Sequence, residues 1–455
     1  MPAIERTKRI FVSDIHMGDT RSLHPPDGLH PYGLLGSDRA QMFAEFLKGR
    51  LQDPQVKQVI ILGDMFDAWV CPTQLDPPQF QAIAQATHNV PIIKNLKAIA
   101  DHDEIDLIYV PGNHDMMITG DILTEIIPGI DYRGTVPGRG VFAEDGIAAE
   151  HCSAYCFMNA PDTIDNLGHH LPFSYFSTRA LTEYTATTGK PLLSLDTIIN
   201  ALRNALLHII KSSPEPKGTE HESAINWAIR EAMPLMIEDM SNLNKHSLIK
   251  VNGVDGYLDP LQVGQVEELF ANMYDNWGRD VPGSCSNWDA LCADISMIDP
   301  HASFYQVAER EYLKKAGKPD IVIFGHTHRA CIENRDIFLF ADEAVKSPAP
   351  SSRLAMESPD LSRLLIELAL VEEKVKEAEI EAAADIELDA FDKPQKDGPF
   401  EYIYANSGSW IDQVKKCTFV ETRIDENKAR HYVKVQQYLK GGKVQLVWER
   451  YKDLD

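Results

Sequence analysis

The chain has 455 residues, with 44 Lys+Arg against 68 Asp+Glu, a formal net charge of −24. Apolar residues make up 44% and charged residues 25%, ordinary globular usage that excludes a wholly disordered or collagen-like chain. The acidic balance argues against a broad non-specific nucleic-acid binder, since such binding rests on Lys and Arg neutralising phosphates; a local site that holds phosphate through metals stays open.

Length predicts two or three domains. In chain order, the N-terminal MPAIERTKRIFVSD lacks an apolar run followed by a small-residue cleavage site. The most apolar long stretch, 192–210, is interrupted by Asp196, Asn200, Arg203, Asn204 and His208. A cytoplasmic protein that is not transmembrane is expected. Seven cysteines without a C-x-x-C pair imply reduced thiols.

Ile10–Val12, Val59–Leu62 and Leu107–Val110 read as buried strands, each ending at a polar or glycine turn. Helical patterns lie between them near 38–51 and 78–101, an alternation that predicts a layered α/β domain with functional side chains at the carboxyl ends of strands. Val141–Ala143 and Ile147–Glu150 read as a hairpin across Glu144-Asp145-Gly146. From 152 to 318 the patterns turn mostly helical, at 193–211, 222–243, 261–277 and 301–316. Strand patterns return at Ile321–Phe324, Ile337–Phe340, Tyr402–Ala405, Cys417–Thr422, Tyr432–Gln437 and Val444–Trp448.

These shifts divide the chain into 1–151, a helical insertion at 152–318, a short return to the first domain at 319–340, an acidic insertion at 341–400, and strands over 401–455. Pro359–Asp392 carries 11 acidic and 3 basic residues, a net of −8. It is either a solvated charged helix and linker or a docking segment for a partner. Leu364, Leu365, Leu368 and Val371 could edge a helix there.

Five clusters begin where an apolar strand ends: Asp14-Ile-His16, Gly63-Asp64-Met-Phe-Asp67, Gly112-Asn113-His114-Asp115, the lone His151, and Gly325-His326-Thr-His328. Carboxylate, imidazole and amide oxygen together suit Mn, Fe, Zn or Ni better than Mg alone. An i, i+2 spacing on an extended strand points both side chains to one face, so Asp14 with His16, and His326 with His328, are expected to reach one ion each. Glycines 63, 112 and 325 allow sharp turns beside the site. Each cluster alone is common; all five at strand ends, in this order, predict a metal site.

In that order the set resembles the calcineurin-like metallophosphoesterase superfamily: D-x-H, GD-x-x-D, GNH-D/E, a lone His, then GH-x-H. The resemblance implies an α/β (α+β) fold, a two-sheet β sandwich flanked by helices, here with a large mostly α-helical insertion. It implies two divalent ions. One would be held by Asp14, His16, Asp64 and His328, and the other by Asp64, Asn113, His151 and His326, with Asp64 as bridge. His114 matches the histidine that contacts phosphate and protonates the leaving group. Asp67 and Asp115 match groups that orient the imidazoles. The family usually has glycine after the lone histidine, where Cys152 stands here, and Gly168-His169-His170 is the rival to His151.

Protein phosphatases of the family show GD-x-x-D-R-G and GNHE; this chain has Asp67-Ala-Trp69 and Asn113-His-Asp115, which disfavours that class. Phe66-Asp-Ala-Trp69, His328-Arg329 and Tyr404-Ala-Asn-Ser-Gly-Ser-Trp410 resemble the branch of the UDP-2,3-diacylglucosamine pyrophosphatases. That branch has arginine where His114 stands, and a much shorter helical lid. The resemblance implies a hydrolase in which a hydroxide bridging two metals attacks a phosphodiester or pyrophosphate bond of a nucleotide conjugate. Arg329 and Asn406 are expected to touch substrate. The rivals are a nuclease or cyclic-nucleotide phosphodiesterase, a phosphomonoesterase, and an inactive binding module on the same fold.

Overall fold

The computed structural model describes residues 5–156, 158–161, 170–190, 243–253, 256–270, 316–335 and 401–454, with positions 237, 241, 276–277 and 312–313. In chain order the strands are β1 (Lys8–Val12), β2 (Val56–Leu62), β3 (Asp106–Val110), β4 (Asp131–Tyr132), β5 (Gly134–Val136), β6 (Arg139–Gly140), β7 (Phe142–Glu144) and β8 (Ile147–Glu150). They continue as β9 (Leu248–Gly253), β10 (Gly256–Gln262), β11 (Ile321–Phe324), β12 (Cys331–Arg335), β13 (Tyr402–Asn406), β14 (Cys417–Asp425), β15 (Arg430–Leu439) and β16 (Lys443–Asp453).

Two large sheets face each other. One has seven strands in the order β16-β15-β14-β1-β2-β3-β4, and the other five in the order β12-β13-β11-β8-β7. In the first, β1, β2, β3 and β4 run parallel, while β14 pairs antiparallel with β1. In the second, β8, β11 and β13 run parallel. Between the sheets lie Phe11, Ile60, Leu62, Ile108 and Val110 from one side, and Ile147, Ala149, Ile321, Ile323, Ile403 and Ala405 from the other. The alternate residues Ile10, Val12, Val59, Ile61, Leu107 and Tyr109 join a second core with the helices. Burial on both faces explains why these strands are continuous apolar runs rather than alternating ones. The fold is the expected two-sheet sandwich with helices outside.

The helix Ser37–Gln52 buries Ala40, Phe43, Ala44, Phe46 and Leu47, a stripe at helical spacing, with Asp38 in its first turn and Arg50 in its last. The helix expected over 78–101 is instead two, Phe80–Gln85 and Val90–Ala100. Pro91 is the cause. Inside one continuous helix it would lack a donor and collide with the carbonyl four residues before, whereas at a helix start it is tolerated. The Asn89 side chain closes the break by donating to Gly18 O at 2.8 Å and Ile83 O at 2.9 Å.

The expected hairpin is β7–β8. Its turn residues Asp145 and Gly146 both have positive φ, 49° and 74°, the signature of a tight primed turn. Of the mostly helical insertion, the described part holds the helices Phe173–Thr188 and Val263–Leu269 and the β9–β10 hairpin. Neither the first helix nor the hairpin was expected, and the helix expected to begin at 261 begins at Val263 after β10. Strand β12 is a further addition. The expected helices 193–211, most of 222–243 and 301–316, the strand Ile337–Phe340 and the whole acidic segment 341–400 lie outside the described residues. The described cysteines, Cys71, Cys152, Cys156, Cys331 and Cys417, are buried and form no disulfide with one another. Among the described residues no helix is long and apolar enough to cross a membrane.

Candidate metal centre

The parallel strands of both sheets deliver their carboxyl ends to one edge of the sandwich. Asp14 and His16 follow β1, Asp64 and Asp67 follow β2, and Asn113, His114 and Asp115 follow β3. His151 follows β8, and His326 and His328 follow β11. Three overlapping groups result: Asp14, His16 and His328; His16, Asp64 and His114; and Asp64, His151 and His326. Within each group the potential ligand atoms lie within 4.8 Å of one another.

Of the i, i+2 pairs, Asp14 and His16 share one group, whereas His326 and His328 fall in different groups and so do not reach one ion together as expected. Neither pair is extended. Strand β1 ends at Val12 and β11 at Phe324, and Asp14, His16, His326 and His328 all sit at positive φ (54°, 53°, 70° and 59°). Asp64 does too, at 52°. Left-handed backbone is costly away from glycine, though Asp and His tolerate it better than most residues. The loops are held there by main-chain bonds: Asp14 N donates to Gly63 O at 3.2 Å, and Ile15 N and His16 N to Asp64 O at 2.9 and 2.8 Å.

Hydrogen bonds assign the tautomers. His151 Nδ1 lies 2.7 Å from Leu62 O, which can only accept, so that nitrogen carries the proton. Its Nε2 then faces Asp64 Oδ2 at 3.1 Å and Asn113 Oδ1 at 3.0 Å. With the Nε2 proton displaced, as a bound cation requires, three acceptors would converge with no donor among them. Likewise His16 Nδ1 donates to Asp67 Oδ2 at 2.9 Å, turning its Nε2 toward His328 Nε2 at 3.1 Å and Asp64 Oδ2 at 3.7 Å. The buried His326 Nε2 has no hydrogen-bond partner, and the buried Asp14 Oδ1 meets only imidazole nitrogens, His328 Nε2 at 3.2 Å and His16 Nε2 at 3.9 Å. Acceptors facing acceptors, beside an orphaned buried atom, are what a divalent cation satisfies. The residues therefore fit a metal.

The field agrees. Burial would raise the Asp64 carboxyl, but the His151 and His114 rings outweigh it and hold it far below the usual carboxylate range. Burial likewise opposes charge on His151, yet Asp64 raises this imidazole to about 9, so without a cation Nε2 shares a proton with Asp64, and a bound cation would take that proton's place. His326 is pushed down to about 3 by burial, reinforced by His151, which keeps it a neutral donor of a lone pair.

His114 is held on three sides. Its Nδ1 is 3.0 Å from Asp67 Oδ1, its ring stacks on Trp69 with centroids 4.4 Å apart, and its edge meets His16 at 4.6 Å. Asp67 thus orients two imidazoles at once. Two nearby backbone donors, Trp69 N at 3.0 Å and Val70 N at 2.8 Å, fix Asp67 in turn. Trp410, by contrast, packs on Phe43 and Phe46 in the core.

Two expectations need correction. Asp115 bonds no imidazole among the described contacts. It accepts from Gly112 N at 2.7 Å, Met65 N at 2.9 Å, Phe66 N at 3.3 Å and the Tyr109 hydroxyl, so it pins the loop after β3 to the loop after β2. Burial, then the Asp64 charge, raise it to about 6. Asn406 is fully buried, donating to Gly325 O at 2.8 Å and accepting from Gly408 N at 3.0 Å. Its amide ties two loops together rather than facing a substrate. Arg329 lies half-buried directly after His328. Of the rivals to His151, His169 is outside the described residues and His170 is half-buried; it is His151 that meets Asp64 and Asn113.

Sequence reasoning missed Ser13 and Ser409. Ser13 Oγ bonds the Asp14 carboxylate and lies 2.7 Å from Ser407 Oγ, and Ser409 Oγ donates to Asp14 O at 2.8 Å. Ser409 follows β13, so its strand-end position was a usable signal. Glycine is required where the loops touch. A Cβ on Gly112 would collide with Asp64 Oδ1 and lie 2.6 Å from Asp64 N and 2.9 Å from His151 Cδ2. Gly112→Ala is expected to cost about 1–3 kcal/mol of stability and to weaken cation binding, because backbone and ligand must move together. Thermal unfolding with and without Mn²⁺ measures both; an unchanged metal-induced shift would show that the loops are not so constrained.

Among curated proteins none matches this chain. Solved structures that resemble it include one titled "Structure of PhoD", at 7% identity and a TM-score of 0.33, covering 100% of this chain and 73% of that one. So loose a likeness supports no inference. Residues 7–193, which contain the first four strand-end clusters, match the family model described as calcineurin-like phosphoesterase. The chain therefore carries a domain of the calcineurin-like phosphoesterase family and is a metal-dependent phosphoesterase.

Proposed function

We propose that this enzyme uses two divalent cations to hydrolyse a phosphodiester or pyrophosphate bond in a nucleotide conjugate. Asp14, His16, Asp64 and His328 would hold one ion, and Asp64, Asn113, His151 and His326 the other. The observation that carries this is the overlap of the metal-capable groups through His16 and Asp64. The mixed oxygen and nitrogen donors suit Mn, Fe, Zn or Ni. Bound divalent ions supply Lewis acidity toward phosphoryl oxygens and lower the pKa of water.

The protein's own groups do the rest. With the His114 Nδ1 proton committed to Asp67, Nε2 is the nitrogen that can pass a proton to the leaving oxygen. Trp69 limits rotation of that ring. Arg329 is the cation that would meet a substrate phosphate beside His328.

The segment 152–318 acts as a lid that selects the substrate. Support comes from Tyr175, whose ring meets Trp69 edge-on with centroids 5.8 Å apart, and from Trp277 Nε1, which donates to Ala154 O at 3.2 Å just after His151. A long insertion beside the acid histidine suits a substrate larger than a simple monoester, as does the resemblance to the pyrophosphatase branch. The net charge of −24 disfavours a polynucleotide. Buried thiols without a disulfide among the described cysteines accord with a reducing, cytoplasmic compartment.

The test is metal content of the purified protein, with Mn²⁺-dependent cleavage of bis(p-nitrophenyl) phosphate beside p-nitrophenyl phosphate. Two ions per chain and preferential diester cleavage are expected, followed by turnover in a screen of nucleotide conjugates. Cleavage of the monoester alone would make it a phosphomonoesterase instead.

A further inference from the structure

Asn113 is the amide among the candidate ligands, and an amide has two ends of nearly equal shape. The oxygen binds a cation; the NH₂ repels one. Something must decide which end faces inward. The Asn113 oxygen faces His151 Nε2 at 3.0 Å, on the side where Asp64 and His326 converge. On its other side, Asn113 Nδ2 donates to Asn159 Oδ1 at 3.3 Å.

Asn159 has its own orientation set. Its Nδ2 donates to Cys156 Sγ at 2.7 Å, which leaves Oδ1 turned to Asn113. Its backbone is part of a tight turn: Asn159 N and Ala160 N both donate to Cys156 O, at 3.0 and 2.8 Å. That turn follows the short 3₁₀ segment Ser153–Tyr155, which starts just after His151. If the Asn113 amide flipped, its oxygen would face the Asn159 oxygen and its NH₂ would face the metal side. Both contacts would be repulsive.

We propose that Asn159 is a positioning residue that accepts from Asn113 Nδ2 and so holds Asn113 Oδ1 toward the divalent cation at the Asp64–His151–His326 group. The proposal rests on the reading of Asn113 as a ligand. It assigns the first turn of the insertion a part in metal binding, beyond any contact with substrate.

The experiment is calorimetric titration of Mn²⁺ into the metal-free full chain, with thermal unfolding of each metal-free variant alongside. Asn159→Leu removes the acceptor at similar volume and is expected to weaken the affected Mn²⁺ site by about 10-fold or more, the range for a group behind a metal ligand. Asn159→Asp keeps an acceptor oxygen and is expected to bind at least as tightly as the parent. Asn159→Ala serves the same comparison should the leucine variant not fold. Unchanged affinity in Asn159→Leu or Asn159→Ala, with Asn113→Ala weakened, would overturn this proposal alone. Unchanged affinity in Asn113→Ala would overturn the ligand reading and this proposal with it. Equal weakening in Asn159→Asp and Asn159→Leu would overturn the acceptor role.

Discussion

Asp64→Ala is expected to lower hydrolysis by about 10³-fold or more in metal-matched assays, with the fold intact. No other carboxylate in the site belongs to two of the three metal-capable groups. Asp64 Oδ2 faces His151 Nε2 at 3.1 Å and His16 Nε2 at 3.7 Å, so its loss removes negative charge from both halves. Asp64 Oδ1 also accepts from His114 N at 2.8 Å, so alanine loosens the acid histidine too. Asp64→Asn separates these effects: it keeps an acceptor for His114 N and loses the charge. Both variants are expected to bind less metal, with the asparagine variant retaining the unfolding temperature of the metal-free parent. Circular dichroism and metal analysis accompany the kinetics. Full activity in either variant at saturating Mn²⁺ would sink the shared-ligand assignment.

His114→Ala is expected to lower kcat by about 10²–10⁴-fold on substrates with alkoxide leaving groups, the range for a general acid. With p-nitrophenyl esters the loss is expected to be small, because p-nitrophenolate departs without a proton. The dependence on leaving group is therefore the diagnostic, rather than the loss itself. His114 also stands in one metal-capable group, with His16 and Asp64. Mn²⁺ affinity decides between the two roles. Affinity within a few-fold of the parent supports the acid role, and a large drop together with equal losses on both substrate types would make His114 a ligand. Asp67→Asn is a useful companion, since Asp67 fixes the proton on His114 Nδ1 and on His16 Nδ1. An amide there can present NH₂ to either ring and upset both tautomers.

Much of this site could be read from the sequence because its side chains follow apolar strands, and such strands announce themselves in a fully buried sheet. Asp14, Asp64, Asn113, His151 and His326 each stand within a few residues of a strand end that the apolar runs marked. The double-positive turn at Asp145-Gly146 was legible for a similar local reason: two residues suffice to define it. Other features were not local. Phe173–Thr188 buries residues on most of its sides, including Ser174, Ser177, Arg179, Thr182 and Thr185, so it shows no amphipathic stripe. The division of the helix at 86–89 was signalled by Pro91, but the apolar residues on both sides concealed it.

By itself, then, the sequence determined the strand ends, the residue types that gather there, and hence the chemistry of oxygen and nitrogen donors for a divalent cation. Those are properties of short segments, set by apolar runs and turn chemistry. Only the tertiary structure decided how the donors face one another. The left-handed backbone at Asp14, His16 and Asp64 is held by main-chain bonds between loops, and that at His326 by the bond from its N to Asp14 Oδ2. The same holds for Asp115, which serves the backbone of two loops, and for Asn406, which ties Gly325 to Gly408. The physical reason is common to all of them: a buried polar group takes whichever partner the packed chain brings within about 3 Å, and that partner is distant in sequence.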